Sequence, residues 1–155
     1  MKRFAASRSK IRRCQSEAGS SLVELAMLAP ALSLMLLGTI DFARVFYVGI
    51  AVADAARAGV QYGLQSNAKT GHFTGMEKAA TDDAKDISGL TATATRFCQC
   101  SDGAPVDCRT GSCGGNSKPE IYVSVRATAV FKTLAPYPGI PSPINVTSQA
   151  TMREQ

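Results

Sequence analysis

The longest apolar run of the chain extends from Ser20 to Ile40, and Glu24 is its only charged residue. A helix of these 21 residues would be about 31 Å long, which matches the hydrocarbon core of a bilayer. We therefore predict a transmembrane helix over residues 20–40. Pro30 lies inside this helix, and membrane helices accommodate a proline by a kink and a local rearrangement of hydrogen bonds.

The helical pattern continues beyond the apolar run. Asp41 and Arg44, and then Asp54 and Arg57, form acid–base pairs at i,i+3 spacing, which stabilise one face of a helix. We predict that residues 41–65 extend the same helix into water. Aromatic side chains of the kind that anchor a helix at the lipid headgroups stand at the junction, namely Phe42, Phe46 and Tyr47.

Small residues form a stripe along this extension, because Ala51, Ala55, Gly59 and Gly63 repeat at i,i+4. Such a stripe lets another element approach the helix closely. Two partners fit it: the chain's own globular part, or the helices of other subunits in an assembly. A neighbouring flank of the helix is also apolar and consists of Val45, Val48, Val52, Ala56, Val60 and Leu64.

Residues 66–155 alternate between polar loops and shorter elements. The pattern over 76–87 predicts a helix, and Gly89 is a plausible helix stop. The Pro-rich segment 134–143 cannot be a central strand and is expected to be a connection. Alternating apolar and polar residues predict three strands, over 90–97, 121–131 and 144–152.

The net charge of +5 resides in the first 19 residues. The rest of the chain is neutral and has no basic patch or aromatic platform, so we expect no nucleic-acid partner. By the positive-inside rule, a leader over 1–19 stays in the cytoplasm and the part over 66–155 is exported. Glu17 alone opposes the basic residues of the leader, which are Lys2, Arg3, Arg8, Lys10, Arg12 and Arg13.

An ordinary secretory signal is the alternative for this N-terminal region. The apolar core of such a signal has about 7–15 residues and ends in small residues at the cleavage site. Here the apolar run is longer, and the charged segment 41–44 follows it. We therefore favour a retained single-pass anchor.

Cys98, Cys100, Cys108 and Cys113 lie in a loop rich in Gly, Asp and Ser, on the side predicted to be exported. Four cysteines in such a loop predict two disulfides, which stabilise a fold by restricting the unfolded chain. Three pairings are possible. A zinc site is the alternative, but the spacing lacks the paired Cys-x-x-Cys knuckles of such sites. Cys14, in the leader, is expected to be a free thiol.

The fold class that these elements predict is α+β. A long N-terminal transmembrane helix continues into a soluble helix, and a small disulfide-stabilised antiparallel β domain follows. Nothing in the sequence indicates an enzyme, a metal site or a cofactor. There is no Ser/His/Asp set, and the Gly-rich segment 111–115 has no Lys and no following helix to hold a phosphate.

Residues 19–24, Gly-Ser-Ser-Leu-Val-Glu, resemble the processing site of type IV prepilins. Residues 23–30 (Val-Glu-Leu-Ala-Met-Leu-Ala-Pro), 38–47 and 55–59 (Ala-Ala-Arg-Ala-Gly) more narrowly resemble the TadE-like family. This family comprises minor pilins or pseudopilins of tight-adherence (Flp-type) pilus systems. The likeness covers 18–63 and implies a pilin-like architecture.

The resemblance implies that a prepilin peptidase cuts after Gly19, which makes Ser20 the new N-terminus and Glu24 the fifth residue. The new α-amine could then pair with Glu24 of its own or a neighbouring helix, which would offset the cost of an acid in the bilayer. The alternative is that Glu24 stays hydrated at the headgroups.

The implied partners are the peptidase, other pilins or pseudopilins, and an assembly platform in the bacterial inner membrane. The N-terminus would be cytoplasmic and the C-terminal domain periplasmic or part of an extracellular pilus. The alternative function is a single-pass periplasmic adhesion or binding module that is not incorporated in a pilus.

Overall fold

The computed structural model describes residues 17–114, 117–137 and 139–154. Most of the predicted leader, including Cys14, lies outside the described residues. The chain divides into two compact units at the boundary between Thr39 and Ile40. This boundary lies within the first helix.

Two α-helices and four strands make up the described part of the chain, as the predicted α+β class requires. The first helix is much longer than the second, and a single 3-10 turn at Asn67–Lys69 stands between them. The elements are α1 (Glu17–Gly63), α2 (Phe73–Asp83), β1 (Thr91–Gln99), β2 (Pro105–Val106), β3 (Glu120–Phe131) and β4 (Ile144–Arg153).

The first unit contains the N-terminal part of α1, and its apolar side chains are exposed. Leu22 is 67% exposed and Met35 is 74% exposed, so these residues are not covered within the chain. The helix continues through Pro30 without a break. Ser33 Oγ donates a hydrogen bond to the carbonyl oxygen of Ala29 at 2.8 Å. The helix from Ser21 onward is long and apolar enough to cross a membrane, as the sequence predicts.

The second unit contains an antiparallel sheet with the strand order β2-β1-β3-β4. The three predicted strands are confirmed with small shifts at their ends, whereas the two-residue β2 was not predicted. The helix predicted over 76–87 is α2, which begins at Phe73 and ends at Asp83. The expectation that Gly89 ends this helix is wrong: Gly89 lies just before β1 with φ +75°, which favours glycine.

The core of this unit forms where the C-terminal part of α1 meets α2 and the sheet. Small and β-branched side chains dominate it. Alternate residues of β3 face α1 and supply part of this set. Its fully buried members are Val52, Ala55, Ala56 and Val60 of α1, Met76 and Ala80 of α2, and Val123, Val125, Ala127 and Ala129 of β3.

Glycine permits the closest approach in this core. A Cβ added at Gly59 would lie 2.9 Å from the backbone oxygen of Met76 and 3.0 Å from Cγ1 of Val125. Backbone cannot yield as a flexible side-chain end can. Even one methyl group at this position would therefore push α1 away from α2 and the sheet.

We predict that Gly59→Ala and Gly49→Ala change stability in opposite directions. Overpacking at Gly59 should cost about 1–3 kcal/mol, more than the gain in helix propensity. At Gly49 an added Cβ meets nothing within 4 Å, so Ala should stabilise the helix by about 0.5–1 kcal/mol. Thermal unfolding of the full chain in detergent, with disulfides intact, measures both. Equal shifts for the two variants would contradict the packing described.

Candidate functional site

The predicted processing site lies near the beginning of α1. The backbone of Gly19 and Ser20 is helical, and a Cβ at Gly19 would meet nothing within 4 Å. The side chain of Glu24 is exposed on the same helix. The side chain of Glu24 is therefore accessible to a partner outside the chain.

The small-residue stripe of α1 is covered by the chain itself. Ala55, Gly59 and Gly63 are buried, and Ala51 is half-buried. A Cβ at Gly63 would lie 2.8 Å from Sδ of Met76, so the covering is close. Of the two partners that the sequence left open, the structure places the chain's own domain against this stripe.

A different face of α1 is apolar and uncovered, and we call it the free helix face. It comprises Phe42, Phe46, Gly49, Ile50 and Ala53, which follow one another at helical spacing. The exposures of its three large side chains range from 56% to 64%. The rings of Phe42 and Phe46 lie 4.7 Å apart between centroids.

The free helix face ends where polar residues take over. Val45, Phe46, Gly49, Ile50 and Ala53 line a shallow groove of about 400 Å³ with almost no polar surface. One turn further on, Arg57 Nη1 contacts Asp54 Oδ1 at 3.2 Å, which confirms the predicted ion pair. The spacing of Phe42, Phe46 and Ile50 carried a sequence signal for this face. Phe42 and Phe46, with Tyr47, were interpreted from the sequence as a headgroup anchor, and Ile50 was not considered.

Asp41 joins α1 to the connection between β3 and β4. Its carboxylate is only 5% exposed. It accepts a hydrogen bond from the backbone N–H of Leu134 at 2.9 Å and one from the Tyr137 hydroxyl at 3.0 Å. Arg44 Nη1 contacts it at 2.8 Å, which confirms the predicted pair. The carboxylate is thus fully engaged, and it holds two residues of a Pro-rich loop that has no secondary structure of its own.

Arg44 has a second contact that orients it. Its guanidinium carbon lies 5.2 Å from the centroid of the Phe131 ring, at the end of β3. A guanidinium over an aromatic face is attracted by the ring's negative potential. The Asp41–Arg44 pair therefore connects α1 to the end of β3 and to the β3–β4 connection.

The cysteine loop contains two disulfides, and zinc has no place there because all four cysteines are paired. Cys98 joins Cys108 and Cys100 joins Cys113, with Cα–Cα distances of 5.2 and 5.6 Å. Among the described residues, no group of three or more His, Cys, Asp or Glu side chains could hold a metal ion. The loop is therefore a covalently closed extension of β1.

Asp107 organises the turn between the two disulfides. Its Oδ1 accepts hydrogen bonds from the backbone N–H groups of Arg109 at 2.8 Å and of Thr110 at 2.9 Å. These N–H groups, that of Thr110 foremost, hold the pKa of the Asp107 carboxyl below its ordinary value. All of these hydrogen bonds lie within the turn, so the Asp107 carboxylate has a structural role there.

Over the described residues, the chain has one helix that could cross a membrane and a small disulfide-stabilised α+β domain. Residues 19–61 match the family model described as TadE-like protein, which confirms the resemblance inferred from the sequence. This match supports a protein associated with the tight-adherence pilus. No curated protein and no solved structure is significantly similar to the chain.

We predict that Asp41→Ala releases the β3–β4 connection. Loss of the carboxylate leaves the Leu134 amide without its acceptor, so hydrogen exchange over 132–137 should accelerate several-fold. Asp54→Ala is the matched control, because Asp54 is also an i,i+3 partner of an arginine but is exposed. Exchange measured by mass spectrometry on the full chain checks this. Unchanged protection of 132–137 in Asp41→Ala would show that the connection is held by other contacts.

Proposed function

We propose that this chain is a minor pilin or pseudopilin that a prepilin peptidase processes after Gly19 and that takes part in assembling a tight-adherence pilus. The observation that carries the proposal is the free helix face on the segment that matches TadE-like proteins. A pilus subunit needs an apolar helix surface that its own domain leaves open. Phe46, Gly49 and Ile50 provide such a surface.

Lipid does not account for the whole of the free helix face. If the membrane span ends at Ile40, Ile50 lies about 15 Å further along the helix axis. The headgroup layer on one side of a bilayer is roughly 5–8 Å thick. An upright helix therefore carries Ile50 beyond the lipid, where an exposed apolar groove needs a protein partner.

The small residues in the groove suit a helical partner. Gly49 and Ala53 leave the backbone accessible between the larger side chains of Phe46 and Ile50. Another helix can therefore approach closely there, as helices do where small residues face one another. Other pilins or pseudopilins, anchored in the inner membrane by the same kind of helix, are the partners we propose.

Glu24 has a separate part in the proposal. Cleavage after Gly19 would create an α-amine at Ser20, and the exposed carboxylate of Glu24 could pair with the amine of a neighbouring subunit. Such a pair would offset the cost of placing an acid in the bilayer. It would also set the axial register between subunits.

We predict that cells containing a prepilin peptidase yield a protein that has lost residues 1–19 and begins at Ser20. Intact-mass measurement and N-terminal sequencing detect the change, and cells without the peptidase provide the control. Full-length protein in both strains, or a cut elsewhere such as after residue 43, would refute the processing step.

The Glu24→Ala substitution distinguishes a helix that takes part in pilus assembly from a helix that only anchors the domain in the membrane. We expect normal processing and export but reduced pilus assembly, since the α-amine has lost its partner. Glu24→Asp, which keeps the charge, should restore part of the assembly. If Glu24→Ala assembles normally, the chain is better described as an anchored adhesion or binding module.

We predict that Ile50→Asp abolishes incorporation into the assembly while leaving the domain folded. A charge on the free helix face would have to be buried without a partner, so assembly should fall by about tenfold or more. Gln61→Asp is the matched control, since Gln61 is exposed on α1 beyond the apolar groove. Co-purification with the other pilus components measures both variants. Equal incorporation of both would show that the free helix face is not used.

A further inference from the structure

A second set of exposed apolar side chains lies at the end of β3 and in the connection between β3 and β4, which Asp41 holds. We call it the juxtamembrane patch and define it by Val130, Leu134 and Ile140, together with Lys132. The three apolar side chains are 47%, 59% and 51% exposed, respectively. Lys132 is also exposed. The domain therefore leaves about half of each apolar side chain in contact with its surroundings.

The position of this patch is set by Asp41. Asp41 follows Ile40, the last residue of the predicted span, and it holds the Leu134 amide and the Tyr137 hydroxyl. Ile140 is held in turn, because its N–H donates to the carbonyl oxygen of Tyr137 at 3.2 Å. The β3–β4 connection is therefore fixed beside the first helical turn after the predicted span.

A groove next to the patch has the mixed chemistry of a lipid–water boundary. It has a volume of about 860 Å³ and its lining is largely apolar, with Ile40, Val48 and Val130 among its residues. Arg44 and Lys132 are its cationic residues and Asp86 is its anionic one. The Asp86 carboxylate accepts a hydrogen bond from the Tyr47 hydroxyl. Lys132 is exposed and forms no ion pair within the described part of the chain, so its amine can extend toward a phosphate along an apolar surface.

We propose that the juxtamembrane patch lies in the headgroup layer of the bilayer, with Leu134 and Ile140 inserted among the lipids and Lys132 directed at lipid phosphates. The occupant is lipid because Asp41, which holds Leu134 and Tyr137, directly follows Ile40, the last residue of the predicted span. This short link brings the patch to the bilayer surface in every molecule whose helix spans the membrane. This inference depends on the span over 20–40 and not on a role in pilus assembly.

The composition of the connection suits this environment. Pro136, Pro141 and Pro143 have no amide N–H, so fewer backbone donors lose water when the loop enters the interface. The aromatic ring of Tyr137 adds a side chain of the type enriched at the headgroup level. The domain would thereby be held by the loop as well as by the helix, which restricts its rotation about the helix axis.

Nitroxide labelling of the full chain in phospholipid vesicles tests the proposal. In a Cys14→Ser background, Ile140→Cys carries the label, and Ser117→Cys is the exposed control near the start of β3. β3 separates the two sites by roughly 36 Å if fully extended. Peptide mapping of the disulfides verifies the fold of both proteins.

Collisions with oxygen, which concentrates in lipid, are compared with collisions with a water-soluble nickel chelate. We expect the oxygen-to-nickel ratio to be several-fold higher at position 140 than at position 117, and Lys132→Glu to lower it at 140. Equal ratios at the two positions would overturn the proposal. A third outcome is that neither oxygen nor the nickel chelate reaches the label at position 140, and that spectral broadening between labels grows with the protein-to-lipid ratio. This outcome would show that a second copy of the chain covers the patch, and it would also overturn the proposal.

Discussion

Close packing between α1 and the rest of its domain is the constraint on which the structure depends. Val52 and Val60 are completely buried, and Gly59 and Gly63 bring Met76 and the valines of β3 close to the helix backbone. A larger residue at Gly59 would meet the backbone of Met76, so one of the elements would have to move, whereas at Gly63 it would meet the flexible end of the Met76 side chain. The extension of α1 is therefore part of the domain core on one side and free only on the others.

This division of one helix by face explains how it can serve several environments. The side that packs on the sheet is made of Val and Ala and is closed to any partner. The free helix face, with Phe46 and Ile50 exposed, remains open to a partner. At the junction between the two predicted segments, Asp41 uses its buried carboxylate to fix the β3–β4 connection. The chemistry of α1 thus changes around its circumference as well as along its length.

Much of this fold could be predicted from periodicity and composition. The apolar run, the long helix, the three main strands and the i,i+3 ion pairs of Asp41 and Asp54 depend on neighbours in sequence, and local patterns report on them directly. The disulfide-bonded state of the cysteine loop also followed from composition. The pairing did not, because it depends on the short β2 strand, in which Val106 lies opposite Cys98.

The features that sequence reasoning missed depend on long-range contacts. Asp41 was interpreted through Arg44 alone, since its contacts with Leu134 and Tyr137 span more than 90 positions. The stripe through Gly59 was left with two possible partners, because small residues permit close approach by any apolar element. Only the tertiary packing distinguishes the closed face from the free one.

Site-specific photo-crosslinking in cells would test the central claim, that α1 uses its free helix face for assembly and its other face for its own core. A photoreactive residue at position 50 should form crosslinks to other pilus subunits. One at position 51, in the half-buried stripe that faces the chain's own domain, should crosslink only within the chain. Crosslinks to other subunits from position 51 with none from position 50 would contradict the account and place the contact surface on the other face of the helix.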